Sequence, residues 1–208
     1  MKLVKSINYL NKILDRYRSD GFKIHLTPTM GALHAGHLKL VKRSKKLNSI
    51  VVVSIFVNPT QFGPKEDYKD YPRTLKNDLK VLKKYGADIV FTPIQKQILS
   101  HKTKHNCPQF AIEKRLCGKS RPKYFPGVKN IVLKLFDIVQ PDAAFFGEKD
   151  YQQYLVIKKM TESLKLNTRI ICVKTVRDRN GLPLSSRNSY LSGQEFKIAI
   201  KINKLLKK

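Results

Sequence analysis

KIHLTPTMGALHAGHLKLVKRSKKLNSIVVVSIFV, residues 23–57, is the stretch that decides the architecture. Positions 23–29 lean toward β-strand. Gly31 and Gly36 punctuate a turn, and Leu38, Val41 and Leu47 share one side of a helical pattern over 37–47. SIVVVSIFV, residues 49–57, is a nearly continuous β-branched run, the pattern of a parallel strand covered on both faces and placed at the sheet centre. Strand, glycine turn, helix and strand together open an α/β unit.

The alternation continues outward. Upstream, Leu3, Ile7, Leu10 and Leu14 at helical spacing predict a first helix over 2–18 that stops at Gly21. Downstream, a Pro-, Gly- and charge-rich loop over 58–72 leads to a helix over 73–85 and a strand over 87–91. The pattern weakens over 95–121, which reads as irregular with room for one strand. Then come a helix over 128–139, a strand over 143–146, a helix over 150–164 and a strand over 169–176. A turn at Asn180 and Gly181 precedes a final helix. Five β-leaning runs separated by helices predict a Rossmann-like, doubly wound parallel sheet over 1–176, whose ligands bind at the carboxyl ends of the strands. Residues 177–208 are left as a short C-terminal unit.

The 208 residues carry 42 Lys and Arg against 15 Asp and Glu, for a net charge of +27, and are 41% hydrophobic. That apolar content excludes a disordered basic tail. No apolar run approaches the ~20 residues of a bilayer crossing. The N-terminal run has neither a continuous hydrophobic segment nor a small-residue cleavage site, which predicts a cytoplasmic chain. Cys107, Cys117 and Cys172, without CxxC spacing, fit reduced thiols in that compartment. The charge invites a nucleic-acid reading, but only ten of the basic residues are Arg and the Lys are scattered in ones and twos, as on a solvated surface.

The chemistry belongs to the strand-to-helix loops. In PTMGALHAGH, residues 28–37, the glycines have P-loop spacing, yet His37 and Leu38 follow where a P-loop has Lys and Ser or Thr. The loop still suits a nucleotide, since a helix N-terminus offers free N–H donors to phosphate. His34 and His37, three apart, share one face of the opening turn and can hydrogen-bond charge developing on a phosphoryl group. In VNPTQFG, residues 57–63, Asn58 and Gln61 could orient a polar substrate, although Asn58 before Pro59 is equally turn chemistry. In FGEKDYQQ, residues 146–153, Gly147 permits close approach and Lys149 offers a point charge, while Glu148 and Asp150 double as helix N-terminal charges. Ser185, Ser186 and Arg187 supply two hydroxyls and a guanidinium able to hold a triphosphate. His101, His105 and Cys107 lack a fourth partner for a metal site.

Together with YPRTL, GVKNIVLKLFDIVQPD and PLSSRNSYLS, these segments resemble the pantoate–β-alanine ligase (pantothenate synthetase) family of HxGH nucleotidyltransferases, in family order over residues 1 to about 195. The resemblance implies condensation of pantoate with β-alanine through a pantoyl adenylate, with ATP as substrate, Mg²⁺ required and a homodimer as the assembly. No nucleic acid or membrane partner is implied. It places Met30, Gly31, Ala32, Leu33, His34, Ala35, Gly36 and His37 on ATP, with His34 and His37 catalytic at its phosphates and His37 as proton donor. Gly147, Glu148, Lys149 and Asp150 would contact the nucleotide, Val176 the adenine, and Leu184, Ser185, Ser186 and Arg187 the phosphates. Gln61 would bind pantoate and β-alanine, Gln153 pantoate, and Asn58 the same substrates. No side chain is assigned to a metal.

Two departures from the family pattern stand out. The family has a histidine before Phe125 and a small or charged residue after it, where this chain has Tyr124 and Pro126, so Pro126 is expected to stiffen a loop. Against the family, only the start of a C-terminal lid is expected, leaving residues 184–187 without their support and pantoyl adenylate open to hydrolysis. A catalytically weakened remnant, another HxGH adenylyl transferase and a basic nucleic-acid binder are the competing readings.

Overall fold

The computed structural model describes residues 1–45 and 49–206, and shows six parallel strands. In chain order the strands are β1 (Lys2–Val4), β2 (Ile24–Thr29), β3 (Ile50–Ile55), β4 (Ile89–Phe91), β5 (Ala143–Gly147) and β6 (Arg169–Val173). The helices are α1 (Ile7–Ser19), α2 (Ala35–Lys45), α3 (Leu75–Lys84), α4 (Gln95–Ser100), α5 (Cys117–Ser120), α6 (Tyr124–Val139), α7 (Tyr151–Ser163) and α8 (Gly193–Leu205). The spatial order β1-β4-β3-β2-β5-β6 makes the sheet doubly wound, with its reversal between β2 and β5. Ligands bind at such a reversal, outside the strand carboxyl ends.

The central strands are buried on both faces. On β3, Val52 packs with α1, α6 and α7 through Leu10, Leu14, Val132 and Met160. Its neighbours Val51 and Val53 face α2 and α3 through Leu38, Val41 and Leu82. Successive side chains of one strand thus feed opposite layers, which is why the run carries no polar alternation. α6 is the most enclosed helix, and even Lys129 is buried, donating to Glu113 at 2.7 Å and to the carbonyl of Pro108.

Four expectations are corrected. The first helix does not begin at residue 2: Ser6 caps it, accepting from the N–H of Tyr9. Residues 2–4 instead form an edge strand that pairs with β4, which leaves Leu3 exposed and buries Val4. The 95–121 stretch holds short helical turns and no strand. Pro126 lies in the first turn of α6, where no intrahelical acceptor awaits its missing N–H, so it starts a helix rather than stiffening a loop. β6 stops at Val173, freeing residues 174–176 to line the ligand cleft. Leu47 and the expected end of its helix lie outside the described residues.

After β6, an isolated antiparallel bridge joins Arg177 to Pro183 and leads to α8, in which no residue is buried. No described helix is long and apolar enough to cross a membrane.

Candidate active site

A cleft of about 220 Å³ opens at the reversal between β2 and β5. Its wall takes residues from the end of β2 (Met30), the start of α2 (His34, Gly36, His37), the end of β5 (Gly147, Lys149, Asp150) and α7 (Gln153). Asn58, Gln61, Val176, Leu184, Ser185, Ser186 and Arg187 complete the predicted set on that wall. Gly31, Ala32, Leu33, Ala35 and Glu148 lie off it. The Glu148 carboxylate accepts from the N–H of Thr175 at 3.1 Å and from its hydroxyl, tying the chain after β6 to the chain after β5.

The motif loop owes its shape to a residue that sequence reasoning did not single out. Gly31 and Ala32 both have positive φ, at 85° and 49°, a costly conformation for Ala32. Asp78 of α3, buried to 2% exposure, accepts from the N–H of Ala32 at 3.1 Å and of Leu33 at 2.9 Å. Thr74 donates its hydroxyl to the same carboxylate. A charged acceptor with three donors offsets the burial and the backbone strain.

His34 lies across the start of α2, where its Nδ1 accepts the Gly36 N–H at 3.1 Å. A Cβ on Gly36 would sit 2.7 Å from the His34 ring, so glycine is required there by the imidazole rather than by positive φ. The His37 Nδ1 accepts the N–H of His34 at 3.4 Å, and the two rings stand 4.1 Å apart. Burial pushes His37 down to about 3, helped by His34 and Lys149. Burial and Lys149 also lower His34. With each Nδ1 accepting from backbone, the neutral rings carry their protons on Nε2, and both serve as N–H donors.

Opposite the histidines, Asn58 is held at both ends. Its Oδ1 accepts from the Thr60 N–H, and its Nδ2 donates to the Gly127 carbonyl and to Gln61 Oε1, each at 3.1 Å. Asn58 therefore builds the turn and aims Gln61 rather than offering free polar groups. Gly127 is forced as well, since a Cβ there would meet the Thr60 carbonyl at 2.3 Å. Tyr124, Arg121 and Tyr71 also line the cleft without having been expected to. Arg121 pairs with Glu66, its Nε 2.7 Å from Oε1, and lies 4.0 Å over the Tyr124 ring.

The segment after β6 is supported, contrary to expectation. Ser186 donates to the Ala32 carbonyl at 2.9 Å, and Arg187 makes a fork to Asp67 with both contacts at 2.8 Å. Tyr190 also donates to Asp67. Anchors within residues 1–176 thus seat residues 184–187. The Arg187 fork, with Tyr190, holds the Asp67 carboxyl below its usual range. Among the described residues no cluster of three metal-binding side chains occurs, and His101, His105 and Cys107 form none.

Fold and cleft define an α/β nucleotide-binding protein of the HxGH class. The family model described as Pantoate-beta-alanine ligase matches residues 2–208. The Pantothenate synthetase of Acetivibrio thermocellus is 48% identical over 206 residues, covering 99% of this chain and 73% of the relative. That of Rhizobium etli is 49% identical over 202 residues, covering 96% of this chain and 67% of the relative. A Pantothenate Synthetase structure from Thermus thermophilus superposes with TM-score 0.91 at 40% identity, covering 98% of this chain and 72% of that one. The Pantoate-beta-alanine Ligase of Francisella tularensis, complexed with Beta-gamma ATP and Beta-alanine, gives TM-score 0.92 at 41% identity, with 100% and 80% covered. The chain belongs to the pantoate–β-alanine ligase family.

Proposed function

We propose that this cleft condenses pantoate with β-alanine, driven by cleavage of ATP. A pantoate carboxylate oxygen attacks the α-phosphorus and pyrophosphate leaves. The β-alanine amine then attacks the acyl carbon of the pantoyl adenylate, AMP leaves, and the amine gives up its proton. The observation that carries the reading is the convergence of two neutral imidazole N–H donors, a helix N-terminus, Lys149 and two carboxamides in one cleft. Adenylyl transfer asks for positioning and charge stabilisation, and these groups supply both without a covalent nucleophile.

In this reading Met30, Gly36, His34 and His37 hold the phosphates; because His37 is neutral, it acts as a hydrogen-bond donor through Nε2 rather than as the proton donor that the family resemblance implied. Lys149 adds charge there, Asp150 faces the ribose and Val176 the adenine. Ser185, Ser186 and Arg187 close over the phosphates from Leu184 onward. Gln61 receives pantoate and then β-alanine, and Gln153 receives pantoate. Gly31, Ala32, Leu33 and Ala35 act by shaping the loop, and Glu148 by bracing Thr175. Mg²⁺ belongs with the nucleotide, because that ion is commonly held by substrate phosphates and one or two carboxylates rather than by an all-protein cage.

Residues 177–208 are taken as a separate C-terminal unit, supported by the antiparallel bridge that departs from the parallel sheet. A homodimer in the cytoplasm completes the proposal, the three free thiols fitting a reducing compartment. The test is pyrophosphate release from ATP with pantoate and with other carboxylic acids. Release that prefers pantoate supports the ligase, and equal release with unrelated acids favours another HxGH adenylyl transferase.

A further inference from the structure

We infer that Tyr124 is a positioning residue that fixes the amide polarity of Gln153, so that Gln153 and Gln61 both present carboxamide N–H groups to the substrate's oxygens. The inference rests on the reading of these glutamines as pantoate contacts.

For Gln61 the polarity follows from the backbone. The Thr60 N–H can only donate, so the Asn58 atom facing it is the oxygen. The Gly127 carbonyl can only accept, so the other end of Asn58 is the NH₂ group. That group faces Gln61, whose nearer atom is therefore Oε1 and whose Nε2 points away, toward the Met30 sulfur at 3.4 Å in the cleft. Two main-chain groups thus dictate which end of a substrate-facing side chain is the donor.

For Gln153 the same work falls to a phenol. The Tyr124 hydroxyl lies 3.0 Å from Gln153 Oε1, its one acceptor within hydrogen-bond reach among the described residues. The Arg121 guanidinium over the ring has no acceptor to offer, and its Nε is engaged by Glu66. Tyr124 is half-buried on the cleft wall, and reversing the Gln153 amide would set an NH₂ group against the phenol and leave its hydrogen without a protein acceptor, so the observed polarity is the favoured one. Burial pushes the phenol up to about 12, so it keeps its proton over the working pH range. The cleft then offers N–H donors from Gln61 and Gln153. That arrangement suits a ligand rich in carboxylate and hydroxyl oxygens and disfavours one that presents N–H groups there.

Tyr124→Phe removes the fixing donor while keeping the ring under Arg121. The expected result is a rise of about twofold in the KM for pantoate, because two equally populated amide orientations leave half of the molecules competent, with the KM for ATP unchanged. Gln153→Glu keeps an acceptor for Tyr124 but replaces the donor facing the cleft with a carboxylate oxygen, and should weaken pantoate binding more than Tyr124→Phe does. An independent readout uses ¹⁵N-glutamine-labelled protein without substrate. The side-chain amide signal of Gln153, identified by its loss in Gln153→Glu, should shift in Tyr124→Phe. An unshifted signal, or an unchanged pantoate KM in an active Tyr124→Phe enzyme, overturns the inference. A parent protein that ignores pantoate overturns the reading of the cleft instead, while the amide signal still decides the role of Tyr124.

Discussion

Ser186 donates its hydroxyl to the carbonyl of Ala32 at 2.9 Å, joining segments 154 residues apart. Ala32 is the non-glycine residue held at positive φ in the motif loop, so this bond couples the segment after β6 to the loop between β2 and α2. Ser186→Ala should raise the KM for ATP about five- to tenfold, the contribution of one hydrogen bond to a neutral acceptor, with pantoate KM within about twofold. Steady-state kinetics in the two substrates checks this. Equal changes in both KM values would contradict it.

Asp78 supports the same loop from below. Asp78→Asn replaces one acceptor oxygen with an NH₂ group that must face the N–H of Ala32 or Leu33, or the Thr74 hydroxyl. A destabilisation of about 2 kcal/mol is expected from the mismatched donors. Urea unfolding measures it, and a variant as stable as the parent would show that the carboxylate is not what holds the loop.

Gly36→Ala separates stability from activity. Alanine is the better helix former by about 1 kcal/mol, and Gly36 has no positive φ to forbid it. Its Cβ, however, would stand 2.7 Å from the His34 ring. The expected outcome is an unchanged or slightly raised melting temperature with kcat reduced at least about tenfold through displacement of His34. Full activity in Gly36→Ala would show that His34 need not lie across the helix start.

The histidines also set a pH dependence of stability. Burial pushes His37 down to about 3, against 6.5 for the free side chain. Between those values the unfolded chain binds a proton that the folded chain does not, so stability falls as pH drops through the window. His25 and His34 are lowered by burial and act in the same direction. Unfolding free energies for His37→Gln should therefore depend less steeply on pH than those of the parent between roughly pH 4 and 6.5. An identical slope in the two proteins would remove His37 from the account.

Individual strands were legible where apolar runs were long, while their order in the sheet was not. β3 announced itself by its β-branched run, and the strand, turn and helix over 23–45 by their change of period. β1 was not legible, because its three residues also fit a helical spacing and only pairing with β4 selects the strand. The HxGH loop pointed to phosphate chemistry, yet the reason for Gly36 was hidden, since it lies in the folded position of His34. Asp78 looked like any polar residue of a Lys-rich helix. Its burial follows from where α3 packs, which no local pattern encodes. Asp67 and Glu66 were missed for the same reason: their partners Arg187 and Arg121 lie 120 and 55 residues away.

The most direct measurement follows pyrophosphate and AMP from ATP, with pantoate present and β-alanine first absent and then added. The account predicts pantoate-dependent pyrophosphate release without β-alanine, followed on its addition by AMP release and formation of the amide. ATP turnover indifferent to pantoate, or no pyrophosphate release when both acids are present, would contradict it.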